Sequence, residues 1–241
     1  MFSKIPFCRL NRNTMWDDES QFVLRGEQKM EYVIKSLTPD LAEDYFDFFD
    51  NRAFSDGSPF YPCYCNAFNL SKERMEKELY QRAEDYGNGL EGWIRALRES
   101  AERMVQAGEI KGYLAYDNGI AIGWCNSNDR MSYYRTGEFD LHTLPDDEEY
   151  THNIAPCEVK AIVCFEISPE YRGKGIATQF LRRICDDAKL EGYKYVEAYP
   201  VKDGENLEMA FTGPLRLYEK AGFEIFELSG NTYTVRKKLI L

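Results

Sequence analysis

The stretch Ile167-Ser168-Pro169-Glu170-Tyr171-Arg172-Gly173-Lys174-Gly175-Ile176-Ala177-Thr178 constrains this chain more than any other part of it. An apolar run, Val159 to Ile167, precedes it and suits a central strand. After it, Ile176, Phe180, Leu181, Ile184, Cys185 and Ala188 recur at helical spacing, and Gly192 ends the helix. Tyr193 to Ala198 supplies a second strand. Strand, glycine turn, amphipathic helix and strand together predict an α/β class, with helices packed on a twisted sheet. Gly173 and Gly175 let the backbone turn tightly and approach a ligand closely. The first amides of the helix lack internal partners and point outward at the positive end of its dipole. That makes an anion site, sized for a pyrophosphate, to which Arg172 and Lys174 add positive charge.

The rest of the chain fits the same class. Tyr32 to Lys35 is the first convincing strand, and residues 1–29 carry no clean period and read as an extension before the domain at 30–241. Thr38-Pro39 is the start signal of a helix that buries Leu41, Tyr45, Phe48 and Phe49. Ser55 to Pro59 is a turn-rich break, and Phe60 to Cys65 is an aromatic loop. Ser71 caps a helix bearing Met75, Leu79 and Ala83, and a further helix carries Trp93, Leu97, Ala101, Met104 and Val105 on one side. Tyr113 to Trp124 is a hairpin turning at Asn118-Gly119. Residues 127–156 are polar and irregular, which predicts a long loop that is functional or mobile. Pro214 to Ala221 is a short helix closed by Gly222, followed by strands around Phe223–Phe226 and Tyr233–Val235.

Composition narrows the function. Among 241 residues, 30 Lys+Arg against 41 Asp+Glu leave a net charge of −11, a poor match to a phosphate backbone, so nucleic-acid binding is not expected. A cationic partner fits better. No run of ~18 apolar residues exists to span a membrane. The start lacks an apolar signal core, and seven scattered cysteines then imply reduced thiols in the cytoplasm. Two histidines, His142 and His152, are too few for a multi-histidine metal centre, and no metal site is expected.

The glycine turn is neither of two common phosphate loops. Gly175 is followed by Ile176, not by the Lys-Ser/Thr of a P-loop, and R-G-K-G-I-A is not the dinucleotide G-x-G-x-x-G. It does resemble the acetyl-coenzyme A loop of the GNAT N-acetyltransferase superfamily, R/Q-x-x-G-x-G/A, through Arg172, Gly175 and Ala177. Leu217-Tyr218-Glu219-Lys220-Ala221-Gly222-Phe223 is similar to the family's late helix and following strand. The motif-bearing part spans about residues 111–241.

The resemblance implies a single GNAT-like domain whose sheet splays at the cofactor, acetyl-coenzyme A. It implies that the strand positions Phe165, Glu166 and Ile167 hold the pantetheine arm through their backbone. The amides of Arg172, Gly173, Lys174, Gly175, Ile176, Ala177 and Thr178 would cradle the pyrophosphate. It implies acetyl transfer to an amine, releasing coenzyme A, with Tyr218 donating to the leaving thiolate. An amine of pKa ~10.4 is neutral in only about one molecule in a few thousand at pH 7, so a base is required. Glu166, Glu158 and Glu197 are the candidate carboxylates, and water-mediated removal is the alternative. The acceptor expected is a small-molecule or protein amine, cationic given the net charge. The family's usual asparagine before the tyrosine is missing: seven residues before Tyr218 stands Phe211, with Asn206 and Thr212 as substitutes. A different acyl donor, an acyl-coenzyme A binding or sensing module without turnover, and a protein keeping the fold alone are the rival readings.

Other features carry less. Cys63-Tyr64-Cys65 has no second pair for zinc and no histidine partner for a nucleophile, so packed thiols or an acceptor-pocket wall are expected. Trp124, Tyr133 and Tyr134 are packing or pocket walls. Asp146-Asp147-Glu148-Glu149 is a solvated loop or a lure for cations.

Overall fold

The first strand, β1 (Val33–Ser36), leads through the turn Pro39–Leu41 into α1 (Ala42–Asn51) in the computed structural model. There follow α2 (Lys72–Met75), α3 (Gln81–Asp85), α4 (Leu90–Gln106), β2 (Gly112–Asp117), β3 (Ile120–Asp129), β4 (Arg135–Thr136) and β5 (Phe139–Asp140). The chain then runs β6 (Val159–Ile167), α5 (Ile176–Leu190), β7 (Tyr195–Ala198), α6 (Leu215–Lys220), β8 (Glu224–Ser229) and β9 (Thr232–Lys238). The structure describes residues 31–58, 60–87, 89–136, 139–140, 158–202 and 211–240. From Tyr32 onward they belong to one unit, Tyr32–Leu241. The expected extension at 1–29, the acidic run Asp146–Glu149, and Asn206 lie outside them.

Local signals explain most of these elements. Ser71 Oγ accepts from the Arg74 amide at 3.2 Å and starts α2. A π-helical turn, Glu76–Tyr80, joins α2 to α3. Thr38 makes no side-chain cap, and Pro39 opens a 3-10 turn before α1. Asn118 and Gly119 both take positive φ, 49° and 82°, as a tight primed turn requires. Gly222, at φ 81°, closes α6.

Seven strands form one sheet in the order β1-β2-β3-β6-β7-β9-β8. Every pairing is antiparallel except β6 with β7. That parallel pairing covers only Val159–Ile162 against Tyr195–Ala198. From Val163 to Ile167, no strand among the described residues meets that edge of β6, so the sheet opens there into a gap.

The cores lie on opposite faces. On one, Tyr45, Phe48 and Phe49 of α1 pack with Leu97 and Met104 of α4 against Trp124 and Val163. On the other, Ile176, Phe180, Leu181 and Ile184 of α5 pack with Tyr218 of α6 against Ile122, Ile162 and Phe165.

The expected irregular loop from residue 127 needs correction: β3 continues to Asp129. The two asparagines of this central strand survive there because distant groups satisfy them. Asn126 Nδ2 donates to the Cys65 carbonyl at 2.9 Å, and its Oδ1 accepts from Tyr133 at 2.7 Å. Asn128 Nδ2 donates to the Glu109 carbonyl. Residues 141–157 lie outside the described residues.

One register slip matters for the site. Asn126 pairs with Cys164 but Ser127 pairs with Ile162, leaving Val163 as the extra residue of a β-bulge. Past the bulge the faces exchange. Cys164 joins Ala161 on the α1 side, Phe165 joins Ile162 on the α5 side, and alternation puts Glu166 on the α1 side.

Candidate active site

A cleft of about 570 Å³ opens beside the outer half of β6. Phe165, Glu166 and Ile167 form its floor, and Arg172 and Ala177 form the side nearest α5. Asp56, Gly57, Ser58 and Phe60, from the segment after α1, face them. Phe211, Gly213, Pro214 and Leu217 close the third side. Aromatic edges tie the last two walls together, with the Phe60 and Phe211 rings 5.5 Å apart.

The glycine turn is held from behind. Ser168 donates its amide to Ile122, and Tyr171 Oη donates to Asp117 at 2.8 Å, so the turn is pinned to the β2–β3 hairpin. Gly173 and Gly175 adopt φ of 77° and 84°, where a side chain is strained, and nothing lies within 4 Å of where a Cβ would stand. Gly175 caps α5 without any side-chain hydrogen bond, and the first intrahelical bond comes from Gln179 to the Gly175 carbonyl. The amides of Ile176, Ala177 and Thr178 therefore have no intrahelical partner. Ile176 is buried and anchors the helix, while Thr178 is exposed. Lys174 Nζ sits 4.7 Å from the Tyr171 ring centroid. An open concavity of backbone amides beside a cation fits a pyrophosphate.

Glu166 is 9% exposed. Its burial in the cleft floor pushes its pKa up to about 7, against the opposing pull of Arg172. Arg172 Nη2 lies 3.4 Å from Glu166 Oε1, Nε donates to the Ile167 carbonyl at 3.0 Å, and Nη1 pairs with Asp56. That hydrogen bond holds the Asp56 carboxyl below its ordinary range.

The other two candidate carboxylates lie elsewhere. Glu158 pairs with Lys194 at the far end of β6. Glu197 is fully buried and held by Arg236, Arg130 and the Tyr199 hydroxyl. Neither lines the cleft.

Tyr218 is fully buried between Phe165 and Phe223. Its hydroxyl donates to the Thr212 carbonyl at 2.5 Å, and burial raises its pKa well above the ordinary value. It supports the cleft wall from behind rather than lining it.

The Cys-Tyr-Cys segment packs under the floor. Cys65 is buried at φ 53°, and its Sγ accepts from Asn126 Nδ2 at 3.3 Å. Burial, with Cys65 close by, pushes the Cys63 thiol up to about 12, so it stays protonated at neutral pH. Trp124 and Tyr133 are fully buried packing residues. Among the described residues no group of three or more His, Cys, Asp or Glu side chains could hold a metal.

The sequence reading missed the wall opposite β6. Asp56 and Phe60 had turn and aromatic-loop signals only, and nothing local says that they cross to residues over a hundred positions away.

The model of the acetyltransferase (GNAT) family matches residues 77–223. The chain belongs to that family. No curated protein matches it. Three solved structures show the extent of the likeness. The GNAT domain of S. lividans PAT is 15% identical, with 86% of this chain and 90% of that one covered, at a TM-score of 0.49. An N-acetyltransferase of Staphylococcus aureus Mu50 is 15% identical over 88% and 100%, at 0.48. PaiA N-acetyltransferase of Thermoplasma acidophilum, solved with coenzyme A, is 17% identical over 87% and 99%, at 0.46. Family membership rests on the first match, and it carries acetyl-coenzyme A as the cofactor of the class.

Proposed function

We propose that this chain transfers the acetyl group of acetyl-coenzyme A to an amine by direct attack, with Glu166 as the base. The observation that carries the reading is Glu166 itself: a carboxyl of pKa about 7, in the cleft that runs to the glycine turn. A base must be ionised at working pH yet strong enough to take a proton, and a pKa near 7 meets both needs. When bound, acetyl-coenzyme A supplies the activated thioester.

The chain's residues do the rest. The Arg172 and Lys174 amides are donated to the Pro169 and Tyr171 carbonyls, so within residues 172–178 the amides of Gly173, Gly175, Ile176, Ala177 and Thr178 hold the pyrophosphate. The edge of β6 at Phe165, Glu166 and Ile167, which no described strand covers, lines up the arm as a neighbouring strand would. Backbone amides at the open gap are donors for negative charge developing at the carbonyl oxygen. Glu166 faces the α1 side, so the amine enters from there and gives up its proton to Glu166. Tyr218 is the donor for the departing thiolate, for which its hydroxyl must exchange the Thr212 carbonyl for the sulfur. The amine is cationic on arrival, a small molecule or a protein side chain, and Asp56 and Glu166 at the cleft favour that charge. Free thiols at Cys63, Cys65, Cys125, Cys164 and Cys185 suit a reducing, cytoplasmic setting. No helix among the described residues is long and apolar enough to cross a membrane.

The Tyr218–Thr212 hydrogen bond favours a second reading, in which the chain binds an acyl-coenzyme A without turnover. An amine panel with acetyl-coenzyme A separates the two, with thiol release followed and products identified by mass. Acetylated amine supports the transferase. Cofactor binding with no product supports the sensor.

A further inference from the structure

Arg172 belongs to the glycine turn, yet its guanidinium points back across the cleft. Nη1 meets Asp56, Nη2 meets Glu166 and Nε meets the Ile167 carbonyl. Asp56 lies 116 residues away in sequence, in the segment that follows α1. One side chain therefore links both walls of the cleft to its floor. The Arg172 side chain is 45% exposed and that of Asp56 35%, so the link is made at the cleft mouth, where a ligand has access.

A guanidinium has five donors in a planar fork. Here that fork serves two carboxylates and a carbonyl of the chain itself. A diphosphate seated on the amides beside Arg172 presents oxygens to the same fork. Carboxylates and phosphate cannot all hold it at full strength. A ligand that takes Arg172 must draw it away from Asp56 and Glu166, and by linkage each carboxylate weakens that ligand.

We propose that Asp56 is a positioning residue that holds Arg172 over Glu166 in the free protein and competes for it with the diphosphate of the ligand. Asp56 thereby opposes cofactor binding, and cofactor binding releases Glu166 from its cation. This rests on the reading of residues 172–178 as the diphosphate cradle.

The test is a double-mutant cycle on the full chain, with coenzyme A as the probe in titration calorimetry at fixed ionic strength. Asp56→Asn should tighten coenzyme A by about threefold, the size that an ion pair this exposed supports. Arg172→Gln should weaken it. In the Arg172→Gln background, Asp56→Asn should change affinity by less than about 1.5-fold, because the competitor has lost its object. Asp56→Glu should restore wild-type affinity. Asp56→Ser repeats the measurement should the asparagine variant misfold, and thermal melts verify each fold. Unchanged or weaker binding by Asp56→Asn overturns the proposal. So does equal tightening in both backgrounds, which is the signature of general charge removal. No binding of coenzyme A by the wild-type protein overturns the cradle reading itself and the proposal with it.

Discussion

Replacing Glu166 by glutamine keeps its shape and removes its titration. Its carboxyl rises from an ordinary 4.5 to about 7. With that pKa about one carboxyl in eleven is ionised at pH 6, half at pH 7 and ten in eleven at pH 8. The acceptor amine's own ionisation also raises kcat/KM with pH, so the ratio of wild type to Glu166→Gln isolates the carboxyl. That ratio should climb about tenfold from pH 6 to 8 and flatten above, at a plateau of roughly 10²–10⁴. Stability gives a second, independent reading. The folded pKa lies above the unfolded one, so the fold favours the protonated form. The contribution of Glu166 to stability is full at or below pH 4.5, falls as pH climbs to 7, and then levels. At about 1.4 kcal/mol per pH unit, the full loss is about 3 kcal/mol. Glu166→Gln escapes it, so urea titrations should find the variant equal to wild type at pH 4 and up to about 3 kcal/mol more stable at pH 8. A flat rate ratio with parallel stability curves refutes both the base role and the buried, desolvated carboxyl behind it.

Gly175→Asp puts a carboxylate, in open space, at the proposed diphosphate cradle. Calorimetry should find acetyl-coenzyme A binding weakened at least about tenfold in a folded protein. Tyr218→Phe keeps the packing against Phe223 and loses the hydroxyl. Steady-state kinetics should give a kcat at least about tenfold lower, with cofactor affinity nearly intact. Wild-type turnover would make Tyr218 a wall support only. At Gly112 an added Cβ would lie 2.1 Å from the Cys125 carbonyl oxygen and 2.5 Å from the Trp124 ring. Gly112→Ala should therefore cost about 2 kcal/mol or more, seen as a lower Tm. For a cationic amine, kcat/KM should fall as salt rises, since surface fields are screened over about 8–10 Å at moderate ionic strength. A salt-insensitive preference for anionic amines would contradict that.

The elements legible in the sequence were those whose signal is local. Ile176 to Ala188 carries its own helical period, Asn118-Gly119 its own turn chemistry, and Val159 to Ile167 its own apolar run. The tail of β3 was not legible, because Asn126 and Asn128 are tolerated inside the sheet only through the Cys65 and Glu109 carbonyls, which pattern cannot reveal. The glycine turn was legible as a tight turn into a helix start, because two glycines and the helical period that follows them mark it locally. The face that Glu166 presents was not. Strict alternation from Val159 puts Glu166 with Ile162, on the α5 side, and only the extra residue at Val163 sends it to the other. Asp56 was invisible for a third reason: its partner in the site comes from the other half of the chain.

The short pairing of β6 with β7 has a mechanical meaning. Within the sheet, β1, β2, β3 and β6 are stitched to β7, β9 and β8 over four residues only, Val159–Ile162. The pairing of β7 with β9 is as short, Tyr195–Ala198, so β7 hangs on two four-residue seams and is open to local loosening. Whatever fills the gap beyond Ile162 acts as a rivet across the seam with β6. Deuterium uptake should then slow on ligand binding along β7 and β9, far from any contact, while β1 at the opposite edge keeps its rate.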